Sequence, residues 1–147
     1  MLFAGIAQDE ANLMLPCLGA RRRAFGREER IMRAGQPTEH LGIVLSGRVR
    51  IEVSDAWGET TILDILGPGS LFAHGYACSM EPLDIDVLAD SACEAVLLKA
   101  ERIIHPCPKQ CGCHAHISSN LMRALALSNL DMNRRAIAMT PKTIRGK

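Results

Sequence analysis

The sequence predicts a mainly β protein, an antiparallel double-stranded β-helix or jelly roll followed by one long α-helix. Three observations predict it. Between Leu41 and Leu98, short β-branched and apolar runs are punctuated by turn residues at Gly47, Gly58 and Gly67-Pro-Gly69, which is how strands joined by tight turns are written. From Cys113 to Met139 the apolar spacing changes from period two to helical, with no glycine or proline inside. The chain has 147 residues, one ordinary domain with room for an appended helix.

Each element has its own signal. Asp9 is placed to cap a short helix through Ala11, Leu13, Met14 and Leu15 that Pro16 stops. Arg22 to Gly26 and Glu29 to Met32 are short and charged, as an edge hairpin would be, and Ala34-Gly-Gln-Pro37 turns the chain. Leu41 to Ser46 is the first strongly apolar strand. Arg48 to Asp55 alternates, with Val49, Ile51 and Val53 inward while Arg48, Arg50, Glu52 and Ser54 face solvent. Thr60 to Leu66, Ile85 to Leu88 and Ala92 to Leu98 supply further strands. Roughly eight short strands with no helices among them indicate a roll or sandwich rather than an α/β fold.

In the long helix, Leu121, Leu125, Met132 and Met139 form one apolar track, and Ile117, Ala124, Leu127 and Leu130 a neighbouring one. Two tracks imply two partners, the chain's own β-domain and the same helix of a second copy. Ile117, Leu121, Ala124, Leu125 and Met132 are therefore the expected dimerisation residues. A helix folded wholly onto its own domain is the alternative. Thr140 and Pro141 then have the form of a new helix start.

Composition excludes some classes of function. The formal charge is only +1, so no overall field holds the chain on nucleic acid or an anionic membrane. Basic residues cluster locally, from Arg21 to Arg33 and again from Arg134 to Lys147. No apolar run reaches the ~20 residues of a membrane span, and Met1 to Ile6 lacks the basic flank of a signal peptide. A cytoplasmic location is expected, where the six cysteines serve as thiols or ligands before disulfides.

Gly42-Ile-Val-Leu-Ser-Gly-Arg-Val-Arg-Ile, the acidic turn with Gly58, Ile62 to Phe72 and Ala92-Cys-Glu-Ala-Val-Leu-Leu98 together resemble the cyclic-nucleotide-binding-type effector domain of Crp/Fnr bacterial transcription regulators. The resemblance covers nearly the whole chain. It implies a β-roll effector domain over residues 1–111, a dimerisation helix over 112–140, and in 141–147 the truncated start of a DNA-binding domain whose helix-turn-helix is missing. Without that reader, specific DNA binding is not expected of the fragment.

In members that bind cyclic AMP, the segment after Phe72 presents a glutamate to the ribose and, further on, an arginine to the cyclic phosphate. Here Gly75 stands where the glutamate should be and Leu83 near the arginine position, and no arginine lies between Arg50 and Arg102. Cyclic AMP is therefore not the expected effector, since a buried phosphate needs charge-assisted donors. Phe72, His74, Tyr76, Cys78, Asp84 and Asp86 are the expected lining of a site for an aromatic, cationic, phenolic or metallic effector. The alternative is that they fill a collapsed pocket.

A second group, His105, Cys107, Cys111, Cys113, His114 and His116, lies just before the long helix. Thiolate and imidazole suit zinc, copper(I) or an iron–sulfur cluster. Its Cys-x3-Cys-x-Cys-His-x-His spacing is not that of a standard structural zinc site, so a metal or redox centre, a labile disulfide and a packing motif all remain open. No catalytic constellation is readable. The expected function is non-enzymatic: a homodimeric sensory module that meets DNA only through the missing domain and meets no membrane. A stand-alone metal or redox sensor and a cupin-type metalloenzyme using His40 or His74 are the alternatives.

Overall fold

A computed structural model of the chain describes residues 2, 8, 9, 12, 15–105 and 114–139. Eight strands follow in order: β1 (Arg21–Phe25), β2 (Arg30–Met32), β3 (His40–Ser46), β4 (Val49–Ser54), β5 (Thr60–Leu66), β6 (Leu71–Phe72), β7 (Asp86–Ala89) and β8 (Cys93–Lys99). Helix α1 (His74–Ser79) lies between β6 and β7, and α2 (Ala100–Ile104) and α3 (His114–Met139) follow β8. One sheet has the order β1-β8-β3-β6 and the other β2-β7-β4-β5. All pairs are antiparallel, and successive strands repeatedly cross between sheets. This is the expected jelly roll with its long helix.

The chain makes two apolar cores, and β3 and β8 serve both. Val44 of β3 and Cys93 and Ala95 of β8 face the interior of the roll, where they meet Phe25, Val49, Ile51, Phe72, Leu83 and Val87. Leu41 and Ile43, with Val96 and Leu98, face the other way and meet Leu2, Leu18, Ala77, Ile103, Ile117 and Leu121. Both strands are thus apolar on both faces, because helices cover the side that water covers elsewhere.

Glycine is needed where chains touch. Gly47, between β3 and β4, has φ +72°, and a β-carbon there would stand 2.3 Å from the carbonyl oxygen of Ala92. At the β4–β5 turn, Asp55 Oδ1 accepts hydrogen bonds from the amides of Trp57 and Glu59, each 2.9 Å long. That side chain closes the turn and leaves Trp57 exposed at its tip.

Three expectations need correction. β1 and β2 are not a hairpin: β1 pairs with β8 and β2 with β7, so the chain turns a corner between sheets at Gly26–Glu29. Helices are not absent among the strands, since α1 interrupts them. Arg50 does face away from the roll, as its neighbours Val49 and Ile51 face in, yet it is buried. Glu28 on the corner, Glu52 on its own strand and Asp90 after β7 all bind its guanidinium, and together hold it strongly protonated.

Candidate effector site

The segment from Phe72 to Asp86, which carries the expected lining residues, is built tightly. The side chain of Phe72 is 2 % exposed and closes the roll interior over Gly42, its partner across the β3–β6 pair. Ala73 and Met80 flank α1 with φ of 59° and 63°, left-handed values that are costly outside glycine. The helix is short because the chain must reverse sharply at both of its ends.

Past α1, Leu83 enters the roll. Its amide donates to Gln36 O and its carbonyl accepts from Gly35 N at 2.7 Å, which fixes the strand-like entry. Its side chain is 3 % exposed and packs in the same apolar cluster as Phe72. Leu83 is thus a plug, and among the described residues Arg50 is the one buried cation, on the outer face of the other sheet.

The six expected lining residues do not converge. Phe72 belongs to the roll interior, and Tyr76 packs partly buried at its margin. Burial and then the neighbouring Asp84 carboxylate push the Tyr76 phenol up. Asp84 itself is exposed, and Asp86 accepts a 2.8 Å hydrogen bond from the amide of Ala34. Cys78 faces the helices, against the outer core, and burial pushes its thiol up. His74 points to α3, where its Nε2 shares a 2.9 Å hydrogen bond with Ser128 Oγ. The other ring nitrogen, Nδ1, is buried with no partner, and burial pushes the imidazole down.

His40 opens β3 and lines an open groove of about 490 Å³ with Pro37, Thr38, Glu39 and Met80. Its Nε2 is buried without a partner, and burial followed by the charge of Lys99 holds its pKa below the ordinary value. Among the described residues, no three His, Cys, Asp or Glu side chains are arranged to hold a metal. Of the second cluster, Cys107, Cys111, Cys113 and the side chain of His114 lie outside the described residues. His105 and His116 are exposed at the end of α2 and the start of α3.

Two of the expected dimerisation residues are turned inward. Ile117 and Leu121 are 0 % and 3 % exposed against the chain's own outer core, with Leu125 packed beside them. Ala124 is half-buried, and Met132 is exposed. Met122, Leu127 and Leu130 are exposed as well. Ser128, which ties this helix to α1, has no sequence signal because its partner is 54 residues away.

The architecture joins a small β-roll, a sharply reversed segment after β6 and a long helix bonded directly to that segment. Residues 22–105 match the model of the cyclic nucleotide-binding domain, more than half of the chain, and the chain belongs to that family. Among solved structures it is similar to the catabolite activator protein of Thermus thermophilus, at 26 % identity and a TM-score of 0.69 over 92 % of this chain and 62 % of that one. It therefore spans less than two thirds of that regulator. A cyclic nucleotide-binding domain from Methylobacillus flagellatus has a TM-score of 0.75 at 17 % identity, over 96 % of this chain and 78 % of that one. The sensor domain of the transcriptional regulator DNR from Pseudomonas aeruginosa has 0.67 at 15 %, over 95 % and 87 %. The last two show a shared fold. A search among curated proteins finds no match. The solved relatives include transcriptional regulators of the Crp/Fnr type, as the motifs imply. No described helix is long and apolar enough to cross a membrane.

Proposed function

We propose that this chain is the sensory and dimerising module of a Crp/Fnr-like transcription regulator, and that its effector is not a cyclic nucleotide. The observation that carries the reading is Leu83, buried among apolar side chains near the position at which the resemblance expects the phosphate-binding arginine. A cyclic phosphate there would lose its hydration and meet no charge-assisted donor, a cost of several kcal/mol. Arg50 offers no substitute, because three carboxylates already hold it.

The route from effector to DNA runs through α3. At 26 residues the helix is about 39 Å long; Ile117 and Leu121 pack on the outer core, Ser128 bonds His74 and Arg135 reaches Asp64 of β5 at 3.6 Å, while Met122, Leu127, Leu130 and Met132 stay exposed. Its exposed apolar side chains then pair with the same helix of a second copy, and a DNA reader beyond them is steered by that pairing. The module works in the cytoplasm, as a non-enzymatic part of the regulator. Calorimetric titration of the purified protein with cyclic AMP and cyclic GMP tests the reading. No saturable heat is expected, and micromolar binding of either nucleotide would overturn it.

A further inference from the structure

An apolar cavity lies outside the roll, at the joint of the three helices. Cys78 of α1 and Ile103 and Ile104 of α2 form one wall, and Ser118, Leu121, Met122 and Leu125 of α3 form the other, of an open-mouthed hollow of about 180 Å³. Its two polar side chains offer little to a polar guest. Ser118 Oγ already donates to the carbonyl oxygen of Ile103 at 2.6 Å, and burial keeps the Cys78 thiol protonated. Ile104 and Met122 are 49 % and 71 % exposed and form the mouth.

We propose that this cavity is the effector site of the module, and that it takes an uncharged, apolar molecule the size of one aromatic ring or a short alkyl chain. The proposal rests on reading the chain as an effector module whose roll interior is plugged by Leu83. Size and chemistry agree: about 150 Å³ of apolar cavity is enough to hold one benzene. A charged or strongly hydrogen-bonding ligand would leave its polar groups unpaired here.

The position suits signalling. A guest would touch Cys78 on α1 and Leu121 and Leu125 on α3 at once. One turn before Cys78 on α1 and one turn after Leu125 on α3, His74 and Ser128 join the same two elements by a hydrogen bond. A guest that fits one α1–α3 spacing better than another shifts the population of that spacing, and α3 carries the shift to its exposed half.

Toluene is the probe, titrated into the full chain with methyl-labelled Ile, Leu and Met followed by NMR. Saturable shifts are expected at Ile103, Leu121, Met122 and Leu125, and their loss in Cys78→Leu, which fills the space; Leu125→Phe is the second filling variant if the first does not fold. Absence of saturable shifts would sink the proposal, as would equal binding in the folded filling variants. Shifts confined to Ile51 and Leu83, both in the roll interior, would place the guest in the roll and overturn it too. If the cavity methyls respond to dilution but not to toluene, a second copy covers the cavity and the proposal is wrong. Cyclic AMP is titrated in parallel: its binding rejects the plugged-roll reading, whereas toluene failing alone rejects only the cavity.

Discussion

The ring of Phe72 occupies the space where Gly42 would carry a β-carbon. Such a carbon would stand 2.0 Å from Cζ and 2.4 Å from each Cε, far inside van der Waals contact. Gly42→Ala therefore forces a buried ring out of place, and overpacking of this kind costs about 1–3 kcal/mol. Urea denaturation should show that loss. Combined with Phe72→Leu, the alanine should cost less than the sum of the two single changes, because the second removes what the first strikes.

Arg50 holds a corner of the fold. Its contacts with Glu28 at 2.7 Å and Asp90 at 3.0 Å, together with its bond to Glu52, gather three carboxylates around one cation. Arg50→Met leaves them facing one another, two of them only 14 % and 20 % exposed. A loss of about 2 kcal/mol is expected. Added salt should recover part of it by screening the remaining like charges, and recovery is read from the urea midpoint with and without sodium chloride.

His74 and His40 make the fold sensitive to acid. Burial lowers the pKa of both below the ordinary 6.5. Above pH 6.5 both are neutral folded or unfolded, so stability is flat. As pH falls below 6.5, the unfolded chain takes up protons that the folded chain resists, and stability declines until the folded-state values are passed. Urea midpoints measured at a series of pH values should trace this decline. In His74→Gln its slope should be shallower, and an unchanged slope would remove His74 from the account.

The proposed dimer makes a demand on Leu130. It is 44 % exposed, and Leu127 is 57 % exposed one turn before it. Leu130→Glu puts a charge on the proposed seam without touching Ile117 or Leu121. Sedimentation should change from dimer to monomer while the circular dichroism spectrum is kept. A monomeric parent protein would refute the dimer outright.

What was legible in the sequence was what is local. Thr60–Leu66 is a strand with both ends where its turn residues put them, and α3 begins within a residue of where the periodicity changes. β6 has only two residues, too few for any period, and α1 is bounded by left-handed alanine and methionine where glycine would have announced the turn. Pairings at long range left no mark. Glu28 and Asp90 reach Arg50 from 22 and 40 positions away, so Arg50 has the appearance of an ordinary outward residue of an alternating strand. The expected site residues all occur on one segment. A helix then turns Cys78 and His74 toward α3, while Phe72 stays in the roll.

The strand order also governs how the chain acquires its shape at the ribosome. Arg21 pairs with Leu97 and His40 with Lys99, so the first and third strands share a central partner that is made last. Nothing that leaves the exit tunnel before β8 can complete that sheet, and vectorial, piecewise folding is closed to it. The half-made chain must carry β3, apolar on both faces, unpaired on its inner edge until residue 99 emerges, which makes synthesis the stage at which this protein is most exposed to aggregation.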